Sequence, residues 1–221
     1  MADRCFTSNY ETMISGGVVL CGGKSTRMGT SKALLPFGPE TMLQRVVRIV
    51  GDVVSPIVVV AAVDQILPDL PPAVIVTRDE SEGRGPLEGL RAGLKALPAH
   101  VERAYVTSCD VPLLVPDFVR QMLDLAGGYD IAVIEINGFS HPLSAVYSRA
   151  TLPYVEDLLA HDRLRPAFLF DVVKTRRIEP AQMTADPRSA NAAQSQHARR
   201  LRAGARRCGV LIRGSTRATL A

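Results

Sequence analysis

Short runs of β-branched apolar residues alternate along the first half of the chain with segments whose apolar residues recur at helical spacing. In residues 41–50 the apolar positions include Met42, Val46 and Val50, and residues 87–97 repeat this spacing with leucines. Alternating strands and helices predict a mostly parallel sheet with helices on both faces, and ligands then bind beyond the carboxyl ends of the strands. The predicted strands lie near residues 18–20, 57–61, 74–76 and 104–107.

The second half of the chain continues this pattern but adds a hairpin. Pro116 suits the first turn of a helix, and Asn137-Gly138 is typical of a turn between two antiparallel strands. We therefore predict one α/β domain of the Rossmann-like, doubly wound kind, whose mostly parallel sheet contains an antiparallel element. The predicted elements are helices at 118–125 and 150–161, and strands at 131–136, 143–147 and 174–178.

The chain has 221 residues and 47% apolar content, which is enough to bury one substantial core. We predict a domain at residues 14–186, between a flexible stretch at 1–13 and a basic tail at 187–221. No apolar stretch approaches the ~20 residues that a membrane span requires. The four cysteines are scattered, without the spacing of a zinc site or a disulfide framework. We therefore expect a cytoplasmic monomer with reduced thiols.

A basic, hydroxyl-bearing segment follows the first predicted strand and is the clearest sign of chemistry in the chain. Gly22 and Gly23 have no side chains, so their backbone N–H groups can approach phosphate oxygens closely. Lys24, Arg27 and Lys32 add positive charge for the same oxygens. This pattern predicts a binding site for a nucleoside triphosphate.

Two commoner phosphate motifs do not fit this segment. The G-x-x-x-x-G-K-[ST] motif would need glycine at position 18, where the chain has Val18. The glycines at positions 17, 22 and 23 also lack the G-x-G-x-x-G spacing of a dinucleotide fold. The site is therefore of neither kind.

A carboxylate follows the strand that is predicted at residues 104–107. Asp110 lies two residues before the turn-forming Pro112, at the edge of the sheet that would face the basic segment. Magnesium prefers oxygen ligands and usually binds one or two carboxylates together with the phosphates of its substrate. Asp110 is therefore the candidate ligand of a Mg²⁺ ion.

Three stretches of the chain together resemble one known family. Residues 18–32 resemble the LAGGxSxRMGxxK signature of nucleotidyltransferases in the molybdenum-cofactor branch, and Cys109-Asp110-Val111-Pro112 resembles their CDxP motif. Asp79, followed after five residues by Gly85-Pro86-Leu87-Glu88-Gly89, resembles their D-x-x-x-x-x-GPLxG segment. The chain is thus similar to the MobA-like NTP transferases, and in particular to the molybdenum cofactor guanylyltransferases. This resemblance implies a fold of the nucleotide-diphospho-sugar transferase type.

The resemblance also implies an activity, which is the transfer of GMP from GTP to molybdopterin with release of pyrophosphate. It makes Lys32, Arg27 and Asp110 the catalytic residues and places Mg²⁺ on Asp110. Asp79 would accept hydrogen bonds either from the guanine edge or from the ribose hydroxyls. Molybdoenzyme chaperones are implied as partners. The residues that the resemblance places around the nucleotide are Leu20, Cys21, Gly22, Gly23, Lys24, Lys32, Asp79 and Asp110.

Two alternatives remain open at this level. One is a related nucleotidyltransferase, such as a molybdopterin cytidylyltransferase or another NTP transferase. The cytidylyl branch tends toward LAAG where this chain has Leu20-Cys21-Gly22-Gly23, and the second glycine favours guanine. The other is a non-catalytic protein that binds GTP and the pterin.

The chain departs from the family pattern in two places. After the second strand the family often has asparagine, whereas this chain has Ala62, Val63 and Asp64, so that contact is either absent or made by Asp64. The family also closes with an NxNTPED segment, whereas residues 193–204 are AQSQHARRLRAG. One choice of codons for residues 193–204, read from the second base, encodes LNLNTPEDYAQ. We therefore hypothesise a frameshift upstream of residue 193.

The same tail explains the formal net charge of +4. Its arginines, such as Arg199, Arg200, Arg206 and Arg207, supply the basic excess, while the body of the chain is near neutral or acidic. The body shows no basic face with interleaved aromatic residues. We therefore predict no nucleic-acid partner.

Overall fold

A seven-stranded sheet forms the centre of the protein in the computed structural model, which describes residues 14–22, 31–79 and 83–183. The strand order across the sheet is β5-β4-β1-β6-β8-β7-β9. Two short strands, β2 (Pro36–Phe37) and β3 (Glu40–Thr41), form a separate hairpin. The strands of the large sheet are β1 (Ser15–Leu20), β4 (Ile57–Ala61), β5 (Ile75–Arg78), β6 (Arg103–Ser108), β7 (Ile131–Ile136), β8 (Phe139–Ser148) and β9 (Thr175–Ile178).

Six of these strands run in the same direction, and β8 runs antiparallel to both of its neighbours, β6 and β7. A two-residue turn joins β7 to β8, and both of its residues have positive φ, 53° at Asn137 and 76° at Gly138. Asparagine and glycine are the residues that most readily adopt this backbone conformation. The predicted hairpin is confirmed, and the carboxyl ends of the six parallel strands meet at one edge of the sheet.

Helices cover both faces of the sheet, as the alternating pattern predicts. Two helices pack with the half of the core that includes Val19 and Val59, and the other two with the half that includes Val18 and Val58. Gly93 lets one helix approach β1 closely, because a Cβ atom there would lie 2.4 Å from Cγ1 of Val18. The helices are α1 (Met42–Gly51) and α3 (Pro116–Leu125) on the first face, and α2 (Pro86–Ala96) and α4 (Leu152–Ala160) on the second.

The predicted elements all occur, and their boundaries differ by a few residues. The helix predicted at 150–161 begins as a 3₁₀ turn over Arg149–Thr151 and continues as α4. The sequence pattern misses β2, β3 and the 3₁₀ helix Lys32–Leu34, which are too short to show a period. No helix in the described ranges is long and apolar enough to cross a membrane. The predicted flexible stretch at 1–13 and basic tail at 187–221 lie outside the described residues.

Candidate active site

Lys32 and Asp110 form an ion pair at the carboxyl edge of the sheet. The Nζ atom of Lys32 lies 2.9 Å from Oδ2 of Asp110, although 78 residues separate them in the chain. Asp110 lies two residues after the end of β6, and Lys32 begins the 3₁₀ helix that packs beside α1. Parallel pairing of β1 with β6 brings the two segments to the same edge. The side chains are 35% and 22% exposed, so a ligand can reach the pair.

The carboxylate of Asp110 is held at both of its oxygens. The Ser108 hydroxyl donates a hydrogen bond to Oδ1, and Lys32 donates to Oδ2. An ionised carboxylate has about four lone-pair sites, so it can accept these bonds and still coordinate a cation. The described ranges contain no group of three or more His, Cys, Asp or Glu side chains that could hold a metal ion. This donor set fits Mg²⁺, which takes one or two protein carboxylates and completes its shell with substrate phosphates and water.

A cavity of about 540 Å³ lies at the same edge of the sheet, on the face that α2 covers. Its size is that of a typical small-molecule site. The ends of β1 and β6 form one wall, and the first turn of α2 forms another. Among the residues that line it are Leu20, Gly22, Asp79, Gly85, Ser108 and Leu143.

Asp79 lines this cavity, and its carboxylate has one oxygen with no hydrogen-bond partner among the described residues. Its backbone N–H donates to the carbonyl of Ala61 at 2.9 Å, which fixes the residue at the end of β5. That oxygen, Oδ1, is buried, and no residue in the described ranges donates a hydrogen bond to it. Burial, and then the nearby carboxylate of Glu88, raise the pKa of Asp79 from 3.8 to about 6. A buried acceptor of this kind is suited to a ligand that brings N–H or O–H donors.

Gly22 leaves room for Asp79. A Cβ atom at position 22 would lie 3.0 Å from Oδ2 of Asp79 and 3.2 Å from the backbone nitrogen of Ala62. The backbone of β4 cannot move away easily, so a side chain at position 22 would displace the carboxylate. The first glycine of the Gly-Gly pair therefore has a steric role in the cavity wall, in addition to the phosphate contact that its sequence context predicts.

Comparison with known proteins agrees with this architecture. Residues 17–178 match the family model described as the MobA-like NTP transferase domain. The chain belongs to this family. A protein of Mycobacterium ulcerans named "Probable molybdenum cofactor guanylyltransferase" is 39% identical over 166 residues, which are 73% of this chain and 82% of that protein. A protein of the same name from Pelotomaculum thermopropionicum is 31% identical over 169 residues, or 76% of this chain and 80% of that protein.

The fold of the family also appears among solved structures. The crystal structure of molybdopterin-guanine dinucleotide biosynthesis protein A from Archaeoglobus fulgidus is similar to this chain with a TM-score of 0.59. The similarity covers 75% of this chain and 83% of that protein at 17% identity. The predicted α/β fold with its mostly parallel sheet is thereby confirmed.

The structure of this MobA-like chain brings several of the predicted residues together and separates one side chain from them. Lys32 pairs with Asp110, while Leu20, Gly22 and Asp79 line the cavity. The thiol of Cys21 instead lies in the core with α1 and α3 and donates to the carbonyl of Val60 at 3.2 Å. The backbone N–H of Cys21 donates to the same carbonyl at 2.9 Å. Gly23, Lys24 and Arg27 lie outside the described residues.

The two described cysteines are unsuited to nucleophilic catalysis. Burial is the main cause that raises the pKa of Cys21 and of Cys109 to about 12. A nucleophilic cysteine needs a thiolate, and such a pKa keeps both thiols protonated at neutral pH. They serve as small apolar residues at the crowded ends of β1 and β6.

Sequence reasoning missed Ser108, which donates to Asp110, and also Gln65. Asp64, the candidate for a nucleotide contact after the second strand, is exposed, whereas its neighbour Gln65 turns toward the chain that follows β1. The side chain of Gln65 contacts the backbone of Cys21 and the hydroxyl of Ser31. Its only signal in the sequence is an amide side chain within the turn after a buried strand.

Proposed function

We propose that this protein transfers GMP from GTP to molybdopterin and releases pyrophosphate. The observation that carries the proposal is the Lys32–Asp110 pair, which lies at the same sheet edge as a nucleotide-sized cavity. One carboxylate oxygen of Asp79, which lines this cavity, has no hydrogen-bond partner among the described residues. The names of the curated relatives support the choice of GTP and of the molybdenum cofactor.

The reaction we propose is an in-line displacement. A terminal phosphate oxygen of molybdopterin forms a bond to the α-phosphorus of GTP, and the bond from that phosphorus to the bridging oxygen of the β-phosphate breaks. Such a transfer needs little covalent chemistry from the protein, which must position the groups and neutralise their charge. Mg²⁺, when bound, supplies Lewis-acid stabilisation of the phosphate oxygens.

In this proposal each residue at the sheet edge has a defined task. Asp110 holds Mg²⁺ through its carboxylate, and Ser108 fixes the orientation of that carboxylate. The ammonium group of Lys32 neutralises negative charge on the triphosphate. We also retain the backbones of Leu20, Cys21, Gly22 and Gly23 and the side chains of Lys24 and Arg27 as proposed triphosphate contacts.

Asp79 is proposed to select the base. Guanine presents a ring N–H and an adjacent amino group, and a carboxylate can accept hydrogen bonds from both at once. Cytosine has an exocyclic amino group but no neighbouring ring N–H, so it can offer Asp79 one such bond. The burial of Oδ1 increases the difference in binding free energy between guanine and cytosine, because a buried carboxylate oxygen that stays unpaired costs free energy.

The direct test is an assay of pyrophosphate release with molybdopterin, Mg²⁺ and either GTP or CTP. We expect kcat/KM to be at least about tenfold higher for GTP, as one lost charged hydrogen bond predicts. A preference for CTP would assign the protein to the cytidylyl branch. Binding of GTP without any pyrophosphate release would show that the protein is not catalytic. A reaction without molybdopterin serves as the blank.

Replacement of Asp79 by asparagine is expected to stabilise the protein and to weaken GTP binding. The folded-state pKa of about 6 lies above the value of 3.8, so ionisation of Asp79 costs stability as pH rises through this range. Asp79→Asn should therefore raise the free energy of unfolding by about 1–3 kcal/mol at pH 8 and have little effect at pH 4, since each pKa unit corresponds to about 1.4 kcal/mol. The Kd for GTP should rise about 10-fold or more, since the charged acceptor is lost.

Urea unfolding at the two pH values and calorimetric titration with GTP would measure both effects. In the unaltered protein the Kd for GTP should also rise as pH falls below about 6, because the proton removes the acceptor. The asparagine variant should lack this pH dependence. A variant that binds GTP as tightly as the unaltered protein would contradict the role of Asp79.

The tail at residues 187–221 is proposed to result from a frameshift, and the described domain is proposed to extend to residue 186. DNA sequencing of the gene around codon 193 is the measurement, together with the intact mass of the protein from its own host. We expect codons for residues 193–204 that encode LNLNTPEDYAQ from their second base. A codon set that is incompatible with this second frame would end the hypothesis. Location in the cytoplasm, a monomeric state and delivery to molybdoenzyme chaperones remain predictions.

A further inference from the structure

Gln65 joins three parts of the chain through its side-chain amide. Its Nε2 atom donates to the carbonyl of Cys21 at 3.0 Å and to the hydroxyl of Ser31 at 2.9 Å. Its Oε1 atom accepts from the backbone N–H of Ala62 at 3.0 Å. A glutamine amide has two N–H donors, so these protein groups use both of them.

The two acceptors of Gln65 each precede a residue of the candidate active site. Cys21 is followed by Gly22, which lines the cavity beside Asp79. Ser31 is followed by Lys32, whose ammonium group contacts Asp110. Gln65 therefore ties the end of β1 to the start of the Lys32–Leu34 helix, although 44 and 34 residues separate it from the two contacts.

The turn that contains Gln65 is itself fixed to the sheet. Arg78, the last residue of β5, donates from Nη1 to the carbonyl of Ala62 at 2.6 Å and to that of Gln65 at 3.2 Å. The Cys21 nitrogen donates to the carbonyl of Val60 at 2.9 Å, which places the end of β1 against β4. The amide of Gln65 is thus held between two strands whose positions the sheet determines.

We propose that Gln65 is a positioning residue for nucleotidyl transfer, which acts through Ser31 on Lys32 and through Cys21 on Gly22. This inference rests on the proposed function and assigns Gln65 no contact with the nucleotide. Lysine is a point charge on a flexible stem, so the placement of its backbone limits where the charge can lie. Displacement of a charged group by about 1 Å can lower the rate of such a reaction about 100-fold.

The test uses two variants of Gln65 and one control. Gln65→Leu keeps the approximate volume and removes all three hydrogen bonds, while Gln65→Glu keeps the acceptor and removes both donors. Arg149→Met is the control, because Arg149 donates to the carbonyls of Leu97 and Pro98 at 2.7 and 2.8 Å at the opposite edge of the sheet. Each variant should be measured for kcat, for KM of molybdopterin and for thermal midpoint.

We expect both Gln65 variants to lower kcat by about 10-fold to 100-fold, with the KM for molybdopterin within about twofold of its original value. Arg149→Met should lower the thermal midpoint about as much as Gln65→Leu does and leave kcat unchanged. In a double-mutant cycle, Ser31→Ala should add little to the loss already caused by Gln65→Leu, because the two side chains share one hydrogen bond. A kcat for Gln65→Leu within twofold of the unaltered protein would overturn the proposal.

Amide hydrogen exchange separates this inference from the proposed function. The N–H of Leu34 donates to the carbonyl of Ser31 at 3.0 Å, so it reports whether Ser31 stays in place. If the unaltered protein forms no product, the proposed function fails. The exchange rates then still test whether Gln65 holds Ser31 in place. Faster exchange at Leu34 in Gln65→Leu, with no change in Arg149→Met, would support the positioning role. Equal exchange at Leu34 in the unaltered protein, in Gln65→Leu and in Arg149→Met would refute the positioning role.

Discussion

Replacement of Asp110 by asparagine is expected to lower kcat about 1,000-fold or more, with little change in stability. The asparagine keeps the shape of the side chain and an acceptor for Ser108, but it loses the charge that holds a divalent cation. Metal stabilisation of a transferring phosphoryl group is worth several kcal/mol, and each 1.36 kcal/mol equals a tenfold change in rate. Pyrophosphate release at saturating GTP and molybdopterin is the measurement.

The thermal midpoint of Asp110→Asn distinguishes a catalytic loss from unfolding. The ion pair with Lys32 is partly exposed, and such pairs contribute at most about 1 kcal/mol to folding. Asp117→Asn is a matched control, because Asp117 accepts a hydrogen bond from Arg120 on the exposed side of α3. A rate for Asp110→Asn within tenfold of the original would exclude Asp110 as the metal ligand.

Replacement of Lys32 by methionine is expected to lower kcat/KM for GTP about 100-fold. Methionine keeps much of the length of the stem and removes the ammonium group that neutralises phosphate charge. One charged donor to a transferring phosphoryl group is typically worth about 10²-fold to 10³-fold in rate. Steady-state kinetics with varied GTP, together with the Kd for GTP, would show how the loss divides between binding and the chemical step.

Lys95→Met provides the comparison for this variant. Lys95 also pairs with a carboxylate, at 3.8 Å from Oε1 of Glu156, but it lies on α2 where this helix faces α4. That substitution should leave the kinetics unchanged. Lys32 and Asp110 touch each other, so the double variant should lose less than the product of the two single losses. If the losses of the two single variants multiplied in the double variant, or if Lys32→Met had a normal rate, Lys32 and Asp110 would not act on one nucleotide.

The fold was predictable from the sequence because its signals are local. The β-branched run at Ile57–Ala61 and the amphipathic pattern of Met42–Gly51 can each be recognised within ten residues of sequence. Asn137 and Gly138 specify the hairpin by their backbone preference alone. β8 begins at Phe139, four residues before the predicted start at residue 143, because His141-Pro142 breaks the apolar pattern in a strand that pairs on both sides.

Only those residues of the site that belong to a sequence motif were predictable. Lys32 and Asp110 belong to two separate motifs, and the parallel order of β1 and β6 explains why they converge. Gln65 belongs to no motif, since its role arises from contacts with residues far away in the chain. The raised pKa of Asp79 likewise depends on burial and on Glu88, which the sequence does not place nearby.

A crystal structure of the protein with Mn²⁺ and a non-hydrolysable GTP analogue would show whether Asp110 and the cavity bind one metal-chelated nucleotide, because the anomalous signal locates the metal independently. We expect one metal peak about 2.1 Å from a carboxylate oxygen of Asp110. We also expect phosphate oxygens within hydrogen-bond distance of Lys32 and the guanine in the cavity against Asp79. A metal bound away from Asp110, or a base outside this cavity, would exclude a nucleotide site built on Asp110, Lys32 and Asp79.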